Sequence, residues 1–274
     1  MIPALLLALR EGLEAALIVG ILLSALRKIN REDLKPTVWL GTIGAVLVSL
    51  VAAVVLQALG ASFEGKTEEV FEGITMIMAA GILTWMIFWM RTQAKSMGTA
   101  LETEVRQAAS QRGQTTLFLV AFLAVVREGV ELALFLTATA FTSGERATLI
   151  GGLLGLAVAI FLAWAMFSSL IRLNLRQFFQ FTSVLLILFA AGLLAHGVHE
   201  LNDAGWIPTI VEQVWNTNAI LSEDSAVGQL LKTLFGYNGN PSLTEVLAYF
   251  GYLMWAFVFM RNQQKPMALQ ARTS

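Results

Sequence analysis

The sequence contains no cysteine and few charged residues: 14% of its 274 residues are Asp, Glu, Lys or Arg, and two are histidine. Without cysteine the chain has no disulfides, thiolate metal ligands or cysteine nucleophiles, so any metal must be bound by oxygen, imidazole or thioether groups. The formal net charge of −1 provides no basic field that would attract nucleic acid. We therefore expect no nucleic-acid partner.

Apolar residues make up 57% of the chain, more than the roughly 45 to 50% of a soluble domain. A helix needs about 20 apolar residues to cross the hydrocarbon core of a bilayer. Seven runs reach that length: residues 2–26, 37–59, 70–90, 115–141, 147–171, 178–199 and 243–260. We therefore predict an all-α, polytopic membrane protein whose seven transmembrane helices form one domain, 1–274.

Lysine and arginine are distributed unequally between the connecting segments. Thirteen lie in the segments after the first, third, fifth and seventh runs, but only three, Lys66, Arg146 and Lys232, lie in the others. Because basic residues concentrate on the cytoplasmic side, the N-terminus is predicted outside and the C-terminus inside. Residues 91–114 then form a cytoplasmic loop. Residues 201–242 form a periplasmic one, for which we predict a partly helical cap on the outer surface.

Parts of the sequence occur twice. Arg-Glu-Gly-Leu-Glu at 10–14 returns as Arg-Glu-Gly-Val-Glu at 127–131, 117 positions later, and Ala-Ala-Gly-Ile-Leu at 79–83 returns as Ala-Ala-Gly-Leu-Leu at 190–194, 111 positions later. Matches in the same order at similar offsets indicate a duplicated three-helix unit, 1–90 and 115–200, with 243–260 as an added seventh helix. Since each unit has an odd number of spans, we predict a 3+3 inverted repeat.

The repeated motif places charged side chains near the middle of the bilayer. In each copy the two glutamates are three residues apart and the arginine lies four residues before the second glutamate, so all can meet on one helix face. The residues are Arg10, Glu11, Glu14, Arg127, Glu128 and Glu131. Six charges in hydrocarbon would oppose insertion by about 15 to 20 kcal/mol, a penalty that persists only with compensation.

Four carboxylates against two guanidinium groups leave two excess negative charges, which a cation or protons could neutralise. Carboxylates are hard donors and prefer hard cations. We therefore predict a mid-membrane cation site in which the glutamates are ligands and the arginines balance charge. The alternative is a set of structural ion pairs that lock the first helix to the fourth.

Paired motifs of this kind in the first and fourth of seven spans, with the N-terminus outside, resemble the oxidase-dependent iron permease family and its bacterial EfeU type. The likeness includes Phe-Glu-Gly at 71–73 and Arg-Leu-Asn-Leu at 172–175. It implies uptake of iron, Fe3+ or Fe2+, across the bacterial inner membrane, with Glu11, Glu14, Glu128 and Glu131 as iron ligands and no organic cofactor. It also implies periplasmic helpers, in bacteria a cupredoxin-like protein and a haem peroxidase.

Two groups of side chains near the outer face are candidates for an accessory metal site or for the place where iron first binds. One group begins the third span and the other ends the sixth, with helical spacing that allows chelation. They comprise Glu68, Glu69, Glu72, His196, His199 and Glu200. The alternative for each is a polar helix end at the interface. The sixth span has no HExxH pattern and hence no metalloprotease signature.

Several soft or aromatic residues of the third span have simpler interpretations. Its methionines, Met90 among them, favour packing over a copper(I) path, because methionine fills irregular apolar gaps. Trp85 and Trp89 are predicted to be interfacial anchors.

Other functions remain open at this stage. The same oxygen ligands would bind another hard cation, such as manganese or lead. A membrane enzyme with a di-metal centre is possible in principle, but such centres normally include two Glu-x-x-His pairs and neither motif contains histidine. A scaffold with locked ion pairs would bind no ion. We expect a permease rather than an enzyme, with iron and the lipid bilayer as its partners.

Overall fold

The computed structural model describes residues 1–93, 113–168, 174–218, 220–223 and 225–263. Within these ranges the chain is all-α, with a 3-10 turn at Glu32–Leu34 and no β-strand. The helices of this part are α1 (Ile2–Lys28), α2 (Lys35–Ala61), α3 (Lys66–Gln93), α4 (Gly113–Ser143), α5 (Glu145–Phe167), α6 (Leu175–Asp203), α7 (Ala226–Phe235) and α8 (Leu243–Gln263). Most of the predicted loop 91–114 lies outside the described residues, as do 169–173.

Local sequence explains several helix ends. Pro3 and Pro36 lie in the first turns of α1 and α2, where a missing amide hydrogen breaks no helical hydrogen bond. α8 begins with a reciprocal capping pair: the Ser242 amide donates to Glu245 Oε1 at 2.9 Å and the Glu245 amide donates to Ser242 Oγ at 3.3 Å. This is the capping box that a Ser-x-x-Glu sequence favours.

Among the described residues, five helices are long and apolar enough to cross a membrane: α2, α3, α5, α6 and α8. α1 and α4 have 27 and 31 residues, but each carries three charged motif residues, and neither is among the five. Large apolar side chains are exposed on the spans, including Val54 of α2 at 66% and Ile160 of α5 at 68%, as a surface facing lipid requires. Five of the seven predicted spans therefore correspond to helices that could cross a membrane. For α1 and α4, crossing the membrane stays a prediction.

The helices form two compact units. The first contains Met1–Glu64 and Thr84–Thr182, and the second contains Gly65–Leu83 and Ser183–Ser274. In the first unit, α1 packs most extensively along α5, α2 packs along α4, and α1 also contacts α4. Leu22 and Leu26 of α1, Val38 of α2 and Leu117 of α4 are fully buried in its core. The two motif-bearing helices are therefore neighbours.

In the second unit, α3 and α6 cross where two glycines meet: a Cβ at Gly73 would lie 2.9 Å from the Gly197 carbonyl oxygen. The segment after α6 is held by backbone hydrogen bonds to the residues that precede α8, including the Thr217 amide to the Gly239 carbonyl at 2.8 Å. α7 lies within this segment, so 201–242 is partly helical, as the sequence predicts.

Candidate metal centre

The α1 motif lies well inside its helix, and its charged residues are buried. Arg10 Nε donates to Glu14 Oε1 at 3.0 Å, the pairing four residues apart that helix geometry predicts. Glu11 is 1% exposed, and neither of its carboxylate oxygens has a hydrogen-bond partner among the described residues. A buried carboxylate without a partner is costly, so the Glu11 carboxylate is suited to binding a cation or a proton.

The α4 motif repeats this pairing. Arg127 Nε lies 2.9 Å from Glu131 Oε1 and 3.9 Å from Glu128 Oε1. Both glutamates are buried, and Oε2 of each has no hydrogen-bond partner in the part of the chain that the structure describes. The α4 carboxylates therefore also keep acceptor capacity after their arginine is bound.

Three of the four predicted ligands converge between α1 and α4. One carboxylate oxygen from each of Glu11, Glu128 and Glu131 lies within 4.8 Å of the other two. Two oxygens bound to one ion at about 2.0 to 2.6 Å are at most roughly 4 to 5 Å apart, so this spacing suits ligands that share a cation. Glu14 is buried and paired with Arg10, but it is not one of the three.

The glycine in each motif allows its helix to approach a neighbour closely. A Cβ at Gly12 in α1 would lie 2.8 Å from the Cβ of Ala159 in α5, and one at Gly129 in α4 would lie 2.6 Å from the Cβ of Ser49 in α2. Both distances are shorter than real Cβ contacts, so helix packing requires glycine at these positions. The motif thus combines the predicted ligands with the contact that positions its helix.

The surroundings of the two arginines include residues that sequence reasoning assigned elsewhere. Arg10 Nη2 lies 3.0 Å from the Met90 sulfur. The Arg127 guanidinium lies over the rings of Trp89 and Trp85, at 4.7 and 5.5 Å from their centroids. The sequence predicted packing for Met90 and membrane anchoring for the tryptophans. Because α3 is distant in sequence from both motifs, no local sequence pattern could have predicted these contacts.

Two of the acidic residues predicted near the outer face lie at a helix N-terminus, where the helix dipole favours negative charge. Glu68 and Glu69 occupy the first turn of α3, where negative charge is stabilised. Glu72 follows one turn later, and the carboxylates that act on it most strongly are those of Glu200 in α6 and Glu68. These groups are in electrostatic range, but only the cluster between α1 and α4 brings three ligand atoms together in the described residues.

The two histidines have different surroundings. His196 Nδ1 lies 3.0 Å from the Gly192 carbonyl oxygen and therefore donates, while its buried Nε2 has no partner among the described residues. His199 directs Nδ1 to Glu245 Oε1 at 3.1 Å and Nε2 to Asp203 Oδ2 at 3.6 Å. Nδ1 of His199 therefore joins α6 to α8 through Glu245, and a metal-binding role for its Nε2 stays a prediction.

Comparison with known proteins identifies the family. The chain matches the iron permease FTR1 family over residues 1–268. It is 38% identical over 256 residues to the ferrous iron permease EfeU of Escherichia coli O6:K15:H31 (strain 536 / UPEC), covering 92% of each chain. It is 36% identical over 255 residues to the ferrous iron permease EfeU of Yersinia pestis, covering 92% of this chain and 90% of that one.

A relative from Escherichia coli (strain K12), 38% identical over 256 residues, carries a name that marks it as inactive. No solved structure matches the chain. The family match extends over nearly the whole sequence and agrees with the helical fold and with the resemblance carried by the two motifs. The chain belongs to the iron permease FTR1 family.

Proposed function

We propose that the chain takes up iron across the bacterial cytoplasmic (inner) membrane and binds the ion between α1 and α4. Its family consists of permeases, which are transporters and not enzymes, and its relatives are named for ferrous iron. The observation that carries the proposal is the cluster of Glu11, Glu128 and Glu131, whose buried oxygens converge and include four without hydrogen-bond partners in the described residues.

Charge balance supports a divalent ion. Arg10 and Arg127 each pair with one glutamate of their own motif, so the four motif carboxylates retain an excess of two negative charges. Fe2+ would neutralise that excess and would supply the partners that the free oxygens lack. Glu14 would complete the coordination after a small movement, since it is buried in the same helix one turn from Glu11.

The proposal includes seven spans, with the N-terminus outside and the C-terminus inside. α1 and α4 cross the membrane in spite of their charges because these face the protein interior or each other: the Arg10 side chain is 0% exposed. The positive-inside distribution of lysine and arginine gives the orientation.

Equivalent contacts support an inverted repeat. α1 packs along α5 as α4 packs along α2, and the α1 and α4 motifs are 117 residues apart. A Cβ at Gly151 in α5 would meet the Met1 carbonyl oxygen, and one at Gly41 in α2 would meet that of Phe118. The glycines are 110 positions apart and their partners are 117 apart, the offsets of the sequence repeat, which supports the proposal that the two helix pairs are equivalent. The axis relating them would pass between the motifs, where inverted-repeat transporters bind substrate.

The outer acidic group would attract iron before it reaches the cluster. Glu68 and Glu200 act electrostatically on Glu72, and Glu69 has one buried oxygen without a partner in the described residues. His196 would add a nitrogen ligand through its free Nε2. A periplasmic cupredoxin-like protein and a haem peroxidase are the proposed helpers, and they would deliver iron at this face.

Uptake by purified protein in proteoliposomes tests the function. Wild type is expected to accumulate radioactive Fe2+, kept reduced by ascorbate, whereas Glu11→Gln and Glu131→Gln are each expected to lower the initial rate by at least about tenfold, the loss that removal of a charged ligand from a low-dielectric site produces. Glu145→Gln removes an exposed carboxylate at the start of α5 and serves as the matched control with unchanged uptake.

Two results would contradict the proposal. Uptake that survives both substitutions in correctly folded protein would remove the cluster from the transport path. Competition separates iron from other hard cations: excess unlabelled Fe2+ should abolish the signal, and excess Mn2+ should leave most of it. If Mn2+ is taken up faster than Fe2+, the chain is a manganese transporter.

A further inference from the structure

The two motif arginines are held in different ways. The Arg10 side chain is fully buried, with Nε on Glu14 and Nη2 on the Met90 sulfur. The Arg127 side chain is 35% exposed, although it makes the equivalent bond to Glu131 at 2.9 Å. Arg127 therefore lies at the open edge of the carboxylate cluster, whereas Arg10 is enclosed. A residue at the open edge can move without disturbing the core.

Two stacked indole rings hold Arg127 at this edge. The rings of Trp85 and Trp89, four residues apart on α3, have centroids 6.3 Å apart at an interplanar angle of 27°. The Arg127 guanidinium lies 4.7 Å from the Trp89 centroid and 5.5 Å from that of Trp85. An aromatic face attracts a cation without offering it a negative charge. The tryptophans thus position Arg127 beside the cluster without adding any negative charge of their own.

The position of Arg127 sets it in competition with a bound metal. Its Nε contacts Glu131 at 2.9 Å and lies 3.9 Å from Glu128, and these are two of the three carboxylates that converge. A metal on the cluster must share both of them with the guanidinium. A fixed positive charge beside the ion lowers the affinity for it, and transport requires binding weak enough to permit release.

We propose that Trp85 and Trp89 are positioning residues that hold Arg127 against Glu131, and that through this contact they set how tightly the cluster binds its cation and how readily it releases it. The inference rests on the proposed function. It differs from the simpler assignment of both tryptophans to membrane anchoring, because an anchor would act without Arg127. Met90, which contacts Arg10, provides no such aromatic surface. This adjustment of cation affinity is therefore confined to the α4 motif.

A double-mutant cycle tests the inference. The dissociation constant for Fe2+ is measured anaerobically by titration calorimetry on detergent-purified wild type, Trp89→Leu, Arg127→Gln and the double variant. Without the Trp89 ring, Arg127 spends more time away from Glu131 and competes less with the metal. Trp89→Leu should therefore tighten Fe2+ binding about fivefold, as expected for loss of one cation–π contact. In the Arg127→Gln background the same substitution should change nothing.

Two further variants separate positioning from a structural role. Trp89→Phe keeps an aromatic face and should restore an affinity close to that of wild type. Trp39→Leu removes an exposed tryptophan of α2 and should leave affinity unchanged. In uptake assays Trp89→Leu should lower both KM and kcat, because tighter binding slows release. An equal effect of Trp89→Leu in both backgrounds, or weaker binding in the single variant, would overturn the inference.

Thermal unfolding of the same four proteins without metal distinguishes the two possible failures. If wild type binds no Fe2+, the proposed function fails and this inference with it, although non-additive melting temperatures would still establish the contact between Trp89 and Arg127. If wild type binds Fe2+ but the binding cycle is additive, only the positioning role fails.

Discussion

Glu11 and Glu14 lie about one turn apart on α1, yet their carboxylates are in opposite situations. Glu14 accepts a hydrogen bond from Arg10 at 3.0 Å, whereas both oxygens of Glu11 lack partners among the described residues. Removing one member of a buried ion pair leaves the other charge uncompensated, but removing a charge that has no partner relieves the protein of its cost. The same chemical change at these two positions should therefore have opposite effects on stability.

We predict that Glu14→Gln lowers the free energy of unfolding of the metal-free protein by up to about 3 to 5 kcal/mol, while Glu11→Gln leaves it unchanged or raises it. Thermal unfolding in detergent measures both. Glu11→Gln should nevertheless lose the rise in melting temperature that Fe2+ gives to wild type, because a functional carboxylate is retained at the expense of stability. A large destabilisation by Glu11→Gln would show that this side chain has a structural partner.

The residues of the metal centre divide into those that local geometry predicts and those that it does not. A spacing of four residues on a helix fixes the pairs Arg10–Glu14 and Arg127–Glu131, so they follow from the sequence alone. The contact of Trp89 with Arg127 depends on how α3 packs beside α4, and no local rule encodes it. The role of each carboxylate as a ligand remains a prediction.

At the scale of the elements, the motif glycines determine how closely helices approach. Gly12 faces Ala159 across the interface of α1 with α5. A Cβ added at Gly12 would lie 2.8 Å from the Ala159 Cβ. Because the Ala159 Cβ is attached directly to its backbone, only a shift of the whole helix can make room. That shift would move Glu11, the residue before Gly12, relative to the α4 carboxylates.

Gly12→Ala is expected to lower the free energy of unfolding by about 1 to 3 kcal/mol, the usual cost of overpacking, and to weaken Fe2+ binding. Gly81→Ala is the matched control: Gly81 is also helical, and its hypothetical Cβ has no described neighbour within 4 Å. That substitution should be neutral or stabilise by up to about 1 kcal/mol, since alanine favours helix. Melting temperatures of the two variants decide the matter. Equal effects of the two substitutions would mean that helix propensity, and not packing against α5, determines the cost of Gly12→Ala.

Helix length and apolar composition predicted most elements because a span must satisfy its own backbone hydrogen bonds in lipid. Most observed helices extend past the predicted apolar runs; α3, for instance, begins at Lys66 rather than at residue 70. α5 is an exception, because it ends at Phe167 rather than at residue 171. Hydropathy marks the hydrocarbon boundary, whereas the hydrogen-bonded helix continues into the polar region. The ordered segment around α7 could be predicted only as partly helical, because its pairing with the residues before α8 depends on contacts distant in sequence.

At the scale of the whole molecule, the compact units and the sequence repeats divide the chain differently. The first unit combines α1 and α2 with α4 and α5, and the second takes parts of both α3 and α6. Each unit therefore draws matching elements from both repeats, as expected if the two repeats are interleaved about one axis. Burying the charged faces of α1 and α4 against each other would then be what allows these two helices to cross lipid.

The position of α4 in the membrane is open to a direct test, because the native chain has no cysteine and single cysteines can be introduced without background labelling. Ser62 follows α2 and Ser168 follows α5, and both are exposed. Between them lie α3, α4 and α5. If all three cross, the two positions lie on opposite sides of the membrane, whereas if α4 does not cross they lie on the same side. The distribution of lysine and arginine predicts that Ser62 lies outside. A membrane-impermeant maleimide should therefore label Ser62→Cys in intact spheroplasts and Ser168→Cys only after permeabilisation, and labelling of both in intact spheroplasts would exclude α4 as a span.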